Sequence, residues 1–253
     1  MSTIPRPFYH RYAWAYDLLI DPPRATQIDG LVALYERHGV RAGSRLVDAG
    51  CGTGAWAVEL ATAGYAVTGI DASPELIEAA RAKLPPGEAL AFEVGDIATW
   101  RPQRPADGVL CRGVLNDLVE DEDRHRCLAA LADMLRPEGV AAVDVREWDA
   151  SAARYAEMPD RERTVASPHG ELAFHSHTAL EPARRLLVID ERHVLSAAGG
   201  EAVAEYRFRM RCWTTEELEA GLREAGFSEV TVGAPDTGWL GVRRDRLAAV
   251  AIR

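Results

Sequence analysis

Leu46-Val47-Asp48-Ala49-Gly50-Cys51-Gly52-Thr53-Gly54-Ala55, LVDAGCGTGA in one-letter code, sets three glycines in five residues directly behind an apolar run. Arg45 to Asp48 reads as a buried strand. Residues 54 to 63 read as a helix, with Trp56, Leu60 and Ala63 on one stripe and Gly64 as its stop. A strand, a glycine-dense turn and a helix N-terminus together make a place where backbone N–H groups and a ligand approach closely. Gly50-x-Gly52-x-x-Ala55 also fits the loose dinucleotide pattern GxGxxG/A, so the turn alone leaves the nucleotide open.

Outward from this stretch, short apolar strands alternate with amphipathic helices, the pattern of a parallel sheet covered on both faces. The second strand is Ala66 to Ile70. Ser73 caps the next helix, with Pro74 at its first position, Glu75 in the first turn, Leu76, Ile77 and Ala80 facing inward, and Pro85-Pro86 as its end. Strands at Ala89 to Val94 and Gly108 to Cys111 follow. A helix from about Asp121 to Leu135 then closes at Arg136-Pro137-Glu138-Gly139 before a fifth strand, Val140 to Val145.

After Trp148 the texture changes to three period-two runs, Glu171 to Thr178, Arg185 to Leu195 and Ala202 to Cys212, joined by turn residues. In the last of them Ala204, Tyr206, Phe208 and Met210 point one way and Glu205, Arg207, Arg209 and Arg211 the other, as on a half-buried antiparallel sheet. Thr214-Thr215-Glu216-Glu217 is a capping box before a helix ending at Gly226, and strands at Ser228 to Val232 and Leu247 to Ile252 complete the layer. The expected fold is α/β: a doubly wound, mostly parallel sheet of seven strands, with an antiparallel β insertion between the fifth strand and the last helix.

Composition narrows the function. The 253 residues are 47% apolar and 27% charged, as in ordinary globular proteins. No apolar run approaches the roughly 18 residues of a spanning helix. The opening MSTIPRPFYHRYAW lacks the basic-then-apolar order of a signal peptide, so the expectation is a cytoplasmic chain with no membrane partner. A net charge of -10 opposes phosphate neutralisation and points away from nucleic acid, toward a small-molecule partner. Cysteines 51, 111, 127 and 212 show no CxxC spacing, and no metal is expected. The single lysine, Lys83, argues against Schiff-base chemistry.

Two acids refine the nucleotide. Asp71 ends the second strand in Gly69-Ile70-Asp71-Ala72-Ser73, where a carboxylate accepts two bonds from a ribose diol. Asp96, in Val94-Gly95-Asp96-Ile97, ends the third strand, where it can take an exocyclic amine. A Tyr-x-x-x-Lys pair of the short-chain dehydrogenase kind is missing, as the lone lysine already implied.

The motifs VDAGCGTG (47 to 54), VTGIDAS (67 to 73), VGDI (94 to 97), DGVLCRGVLNDL (107 to 118) and LRPEGVAAVDVRE (135 to 147) together resemble the class I S-adenosylmethionine-dependent methyltransferases, whose fold is Rossmann-like. The resemblance implies S-adenosylmethionine as cofactor. It places the methionine end against Gly50, Gly52 and Gly54, the ribose against Asp71 and Ala72, and the adenine beside Asp96 and Ile97, with Asp48, Ala49 and Cys51 of the same turn among the cofactor contacts. Cys111 and Arg112 complete the expected cofactor contacts.

Phe8-Tyr9-His10-Arg11-Tyr12-Ala13-Trp14-Ala15-Tyr16-Asp17 resembles the YDxxAxxYD helix of small-molecule methyltransferases, with His10 in place of the usual acid. That implies Tyr9 and Tyr16 over the sulfonium, with Tyr12 and Tyr16 toward the acceptor; the alternative is that the three tyrosines only anchor the segment. The insertion and Asp144-Val145-Arg146-Glu147 resemble the layout of glycine/sarcosine and amino-sugar N-methyltransferases. The expected division is 1–40 as N-terminal cap helices, 41–150 as cofactor-binding core, 151–213 as the insertion over the site, and 214–253 as completion of the core.

Methyl transfer from a sulfonium asks the protein mainly to position an electrophile that the cofactor has already activated. No catalytic side chain is therefore assigned. Arg112, Asn116 and Asp117 after the fourth strand, and Arg146 and Trp148 after the fifth, are the acceptor-side candidates. His175 and His177 share a face and could serve as a base or, with Glu191, hold a metal; the plainer reading is surface histidines. Asp21-Pro22-Pro23-Arg24 reads as a turn. The expected activity is methyl transfer to nitrogen or oxygen of a small metabolite by a chain compatible with a homodimer. The competing readings are an NAD(P)-dependent oxidoreductase and a cofactor-binding protein without catalysis.

Overall fold

Each apolar run near the glycine turn becomes a strand of one sheet, and each amphipathic stretch a helix lying on it. The structure, a computed structural model, describes residues 6–20, 22–84, 89–233, 239 and 245–253. Pro85-Pro86 and Asp21, part of the helix stop and the turn read above, lie outside these. In chain order the core is α1 (Tyr16–Leu19), α2 (Ala25–Arg37), β1 (Arg45–Ala49), α3 (Ala55–Thr62), β2 (Ala66–Asp71), α4 (Pro74–Arg81), β3 (Leu90–Val94), β4 (Ala106–Arg112), α5 (Asp121–Met134) and β5 (Leu135–Arg146). An insertion of α6 (Trp148–Glu157), β6 (Asp160–Ser167), β7 (Gly170–Glu181), β8 (Leu186–Ala197) and β9 (Gly200–Arg211) follows, and α7 (Thr215–Glu224), β10 (Glu229–Val232) and β11 (Arg246–Ile252) close the chain.

The seven-stranded sheet runs β10-β11-β5-β4-β1-β2-β3. β1 to β5 are parallel, and β11 alone is reversed against its neighbours β5 and β10. Period-two alternation divides the core between the two faces. Leu46 and Leu110 pack with Leu34, Leu60 and Ile77 on the side of α2, α3 and α4. Val47 and Val109 pack with Leu128, Leu131 and Leu222 on the side of α5 and α7. The local signals held where they were strongest: Ser73 accepts the Leu76 N–H at the start of α4, and Thr214 and Glu217 form the capping box of α7.

The insertion departs from the expectation of three strands. Its sheet has four, in the order β6-β7-β8-β9, and α6 stands before it. β6 went unread because DRERTVAS is a charged, largely exposed edge strand with no apolar alternation to betray it. α6 starts where the Glu147 carboxylate accepts the Asp149 and Ala150 N–H groups, an N-terminal cap from a residue type seldom read as one. The Arg136–Gly139 closure is drawn into β5, through Ala106 opposite Leu135 and a register shift before Gly108 meets Val140. The expected N-terminal helix breaks into two 3-10 turns, Pro7–Tyr9 and Ala13–Ala15, before the single turn of α1. Among the described residues no helix is long and apolar enough to cross a membrane.

At the top of the sheet Asp144 of β5 is fully buried and bonded by Arg112 of β4, at 3.1 Å, and by Arg246 of β11. Burial alone would push this acid up, but the two guanidinium groups outweigh it and hold the carboxyl below its ordinary 3.8. Its stabilising contribution is therefore present above that ordinary value and lost as pH falls through the lower folded one. Asp144→Asn leaves both guanidinium groups short of their counter-charge and should cost about 3 to 5 kcal/mol in urea unfolding at neutral pH. A loss below about 1 kcal/mol would show that the pair is dispensable.

Candidate cofactor and acceptor site

Parallel strands deliver all their carboxyl ends to one edge, and at that edge a cavity of about 350 Å³ opens. Its floor is Gly50 and Gly52 after β1, Asp71, Ala72 and Ser73 after β2, Val94, Gly95 and Asp96 at the end of β3, and Arg112, Gly113, Val114 and Asp117 after β4. Leu76 of α4 forms a wall, and Tyr9, His10 and Tyr16 of the N-terminal segment form the roof.

The glycines of the opening stretch answer to different neighbours. Gly50 has φ +80°, and a Cβ on it would lie 2.0 Å from the Val114 Cγ2, so protein atoms exclude a side chain there. Gly52 has φ +56° and its nearest neighbour is the Tyr16 ring at 3.7 Å, so the left-handed backbone, and not a clash with protein atoms, favours glycine there. Gly54 does not line the cavity. Phe92 packs where its side chain would be, at 2.3 Å.

Asp71 accepts the Gly52 N–H at 3.0 Å and the Ser73 N–H at 2.9 Å. A carboxylate has about four acceptor positions, so these two bonds leave capacity for a ligand hydroxyl. Burial raises its pKa against the pull of the Ser73, Gly52 and Ala72 amides. Asp96 accepts the Ala98 N–H at 2.8 Å. Asp117 accepts the Tyr9 hydroxyl at 3.2 Å through Oδ2, while its Oδ1 is buried without a partner. Burial raises this carboxyl too, Arg6 and the Tyr9 bond opposing. Tyr16 is pushed up to about 12 by burial and by Asp71, so it is a neutral phenol. Tyr9 is raised well above the ordinary phenol by burial and Asp117.

The roof is tied down from both sides. Ser73 donates its hydroxyl to the Tyr9 carbonyl, and His10 meets Glu75 at 3.0 Å. Arg6 donates to the Tyr9 hydroxyl at 3.0 Å and forms a two-pronged pair with Glu191 of β8, its guanidinium 4.1 Å from the Phe208 ring centre. Glu191 also meets His193 at 3.3 Å, so its carboxylate is engaged with Arg6 and His193 and not with His175 or His177. Those histidines pair with Glu162 and Asp160 on the outer face of the insertion. Among the described residues no group of three His, Cys, Asp or Glu is placed to hold a metal.

Of the residues singled out from sequence, Tyr9, Tyr16, Gly50, Gly52, Asp71, Ala72, Asp96, Arg112 and Asp117 line the cavity. The others do not. Tyr12 is buried with its ring 5.4 Å from that of His193, on the insertion side of the segment. Ala49, Ile97 and Cys111 belong to the core beneath the floor, and Cys51 is half-buried against the α3 side. Asn116 turns inward to accept the Arg146 N–H at 3.0 Å, and Arg146 pairs with Asp245 at 2.9 Å. Trp148 packs at the foot of the insertion with Leu187 and Ile189. Asp48 is buried behind the turn, with Oδ2 unpartnered. Its pKa is pushed up to about 7, first by burial, with Arg112 opposing and Asp71 adding to the rise. His10, Ser73, Leu76, Val94, Gly95, Gly113 and Val114 also line the cavity and were missed; of these Ser73 carried a local signal, its helix cap.

Residues 46–139 match the model of the Methyltransferase domain family. That stretch is a methyltransferase domain. The chain is 39% identical over 101 residues to a trans-aconitate 2-methyltransferase of Methylobacterium radiotolerans, covering 39% of this chain and 36% of that one. It is 32% identical over 134 residues to the glycine N-methyltransferase of Rattus norvegicus, covering 47% and 45%. These matches thus span less than half of either relative. An S-adenosylmethionine-bound amino pentose methyltransferase of Micromonospora echinaspora shares the fold over 96% of this chain and 97% of its own, with a TM-score of 0.68 at 20% identity.

The domain's cofactor is S-adenosylmethionine, and the cavity fits it: a glycine cradle, an acid with free acceptor positions for a diol, a second acid after β3, and apolar Leu76, Val94 and Val114 beside them. Its volume lies within the range of about 300 to 1,000 Å³ usual for ligand pockets. The domain match sets the oxidoreductase reading aside.

Gly52→Val should abolish S-adenosylhomocysteine binding in calorimetry while the circular dichroism spectrum stays that of the parent; retained binding would show that the turn is not the cradle. Asp48 makes a pH prediction of opposite sign to Asp144. Its folded pKa lies above the ordinary 3.8, so its contribution is full below that value and declines as pH rises toward 7. Relative to Asp48→Asn, the parent should lose on the order of 3 kcal/mol of unfolding free energy between about pH 4 and about pH 8. Parallel pH profiles for the two proteins would refute the assignment.

Proposed function

We propose that the chain transfers a methyl group from S-adenosylmethionine to a nitrogen or oxygen of a small molecule. The observation that supports this most is the roof: Tyr9, His10 and Tyr16 stand over the floor where the strands end, and Arg6 fastens that segment to the insertion sheet. Such a covered chamber suits a small acceptor better than a polymer, and the net charge of -10 agrees.

In this reading Gly50 and Gly52 hold the methionine end, Asp71 the ribose and Asp96 the adenine. The bound cofactor supplies an activated methyl group. The chain's own residues orient and enclose: Tyr9, Tyr16 and Asp117 surround the acceptor side, and the roof keeps water out. Holding the two reactants in line accounts for several kcal/mol of barrier lowering without a side chain entering the chemistry. Residues 1–40 act as the cap, 41–150 with 214–253 as the cofactor core, and 151–213 as the cover of the acceptor side. The chain works as a cytoplasmic enzyme, alone or as a homodimer.

Asp71→Ala should weaken S-adenosylhomocysteine binding by about 1.5 to 3 kcal/mol, the worth of hydrogen bonds to a charged group. Calorimetry reads this directly, with NAD and NADP as ligands that should not bind. Unchanged affinity would remove the ribose assignment, and NAD binding would remove the whole reading.

A further inference from the structure

We propose that the methyl acceptor is an amine, bound as its ammonium, and that Asp117 is the group that holds its nitrogen. The inference rests on the methyl-transfer reading above. Three carboxylates line the cavity, and they differ in what already satisfies them. Asp71 is held by the Gly52 and Ser73 amides, and Asp96 by the Ala98 amide. Among the described residues Asp117 has only the Tyr9 hydroxyl, and its second oxygen is buried with no donor at all.

The cations around Asp117 are committed elsewhere. Arg6 is paired with Glu191, Arg146 with Asp245, Arg112 with Asp144, and His10 with Glu75. Asp117 therefore faces the cavity as an acid without a counter-charge of its own. The roof beside it is aromatic: the Tyr9 and Tyr16 rings lie 6.4 Å apart, centre to centre, and both phenols are neutral.

An ammonium supplies what this arrangement lacks, namely a positive charge for the carboxylate that lines the cavity and for the ring faces beside it. An alcohol brings one donor and no charge. A carboxylate acceptor brings like charge and is repelled. A proton passing from the ammonium nitrogen to Asp117 leaves a neutral amine with a free lone pair and a carboxylic acid. Burial, which raises this carboxyl, favours the acid form.

The test uses the full chain saturated with S-adenosylhomocysteine and matched probes: phenethylamine against 2-phenylethanol, cyclohexylamine against cyclohexanol, and phenylacetate. Calorimetry should find at least one amine bound about tenfold or more tightly than its alcohol, with phenylacetate not bound. Asp117→Asn should remove that preference while S-adenosylhomocysteine and S-adenosylmethionine bind as before. Three results overturn the inference: no amine binding to the loaded protein, an alcohol or phenylacetate bound as tightly as the amine, or an unchanged preference in Asp117→Asn. So does a variant that loses affinity for either cofactor form, since the carboxylate would then serve the cofactor. Should Asp117→Asn not fold, the parent's amine preference decides alone. If the parent does not bind S-adenosylhomocysteine, the methyl-transfer reading fails first and this inference with it; if it binds and amines do not, only this inference fails.

Discussion

Val114 sits where a side chain on residue 50 would have to be, and that close approach fixes the whole upper edge of the sheet. With Gly50 forced into the left-handed region, the turn after β1 bends so that the Gly50 and Cys51 amides both reach the Ile70 carbonyl of β2, at 2.8 and 2.9 Å. The bend also aims the Gly52 amide at Asp71. Asp71 in turn accepts the Ser73 amide, and the Ser73 hydroxyl reaches the Tyr9 carbonyl. One steric constraint in a turn is thereby carried through β2 and the start of α4 into the roof. Arg6 passes it on to Glu191 and the insertion.

Charge is handled along this edge in three ways, each with a different physical result. Asp144 is buried between two guanidinium groups and stays ionised. Asp48 is equally buried with no comparable partner, and burial raises its pKa instead. Asp71 lies between these cases, held by main-chain amides that favour the anion without neutralising it. The general rule is that a buried carboxyl is paired, hydrogen-bonded or protonated. Of these three acids, Asp71 alone lines the cavity, where its remaining acceptor positions can meet a ligand, whereas both oxygens of Asp144 are taken by guanidinium groups.

The parts of the fold legible in the sequence are those set by local periodicity and caps: β1 to β5, α4 behind Ser73, and α7 behind its capping box. β6 and α6 were not legible, because one is a charged edge strand and the other is capped by a glutamate. The site divided along the same line. Asp71 and the glycines were readable because strand ends in a parallel sheet have fixed places. Asn116 and Asp117 were read as a pair, yet one turns into the core toward Arg146 and the other lines the cavity. Adjacent side chains point differently, and only packing decides which faces the ligand. The role of Glu191 depends on Arg6, 185 residues away, a distance at which no local pattern exists.

The tie between Arg6 and Glu191 also separates the two tasks of the site. Exposed pairs such as His10 with Glu75 contribute little in water, so they hold the roof only loosely. Arg6 and Glu191 are both largely shielded, the guanidinium stacked on Phe208, and breaking such a pair leaves a buried charge behind. The roof is thus anchored on the insertion through Arg6 as well as on Ser73, whereas the floor is set by the ends of β1 to β4. Changes in β8 and β9 can then reshape the chamber around Tyr9 and Asp117 while the glycine turn and Asp71 stay as they are. With the glycine turn on parallel strand ends and the roof's anchor on a separate antiparallel sheet, one can change without rebuilding the other.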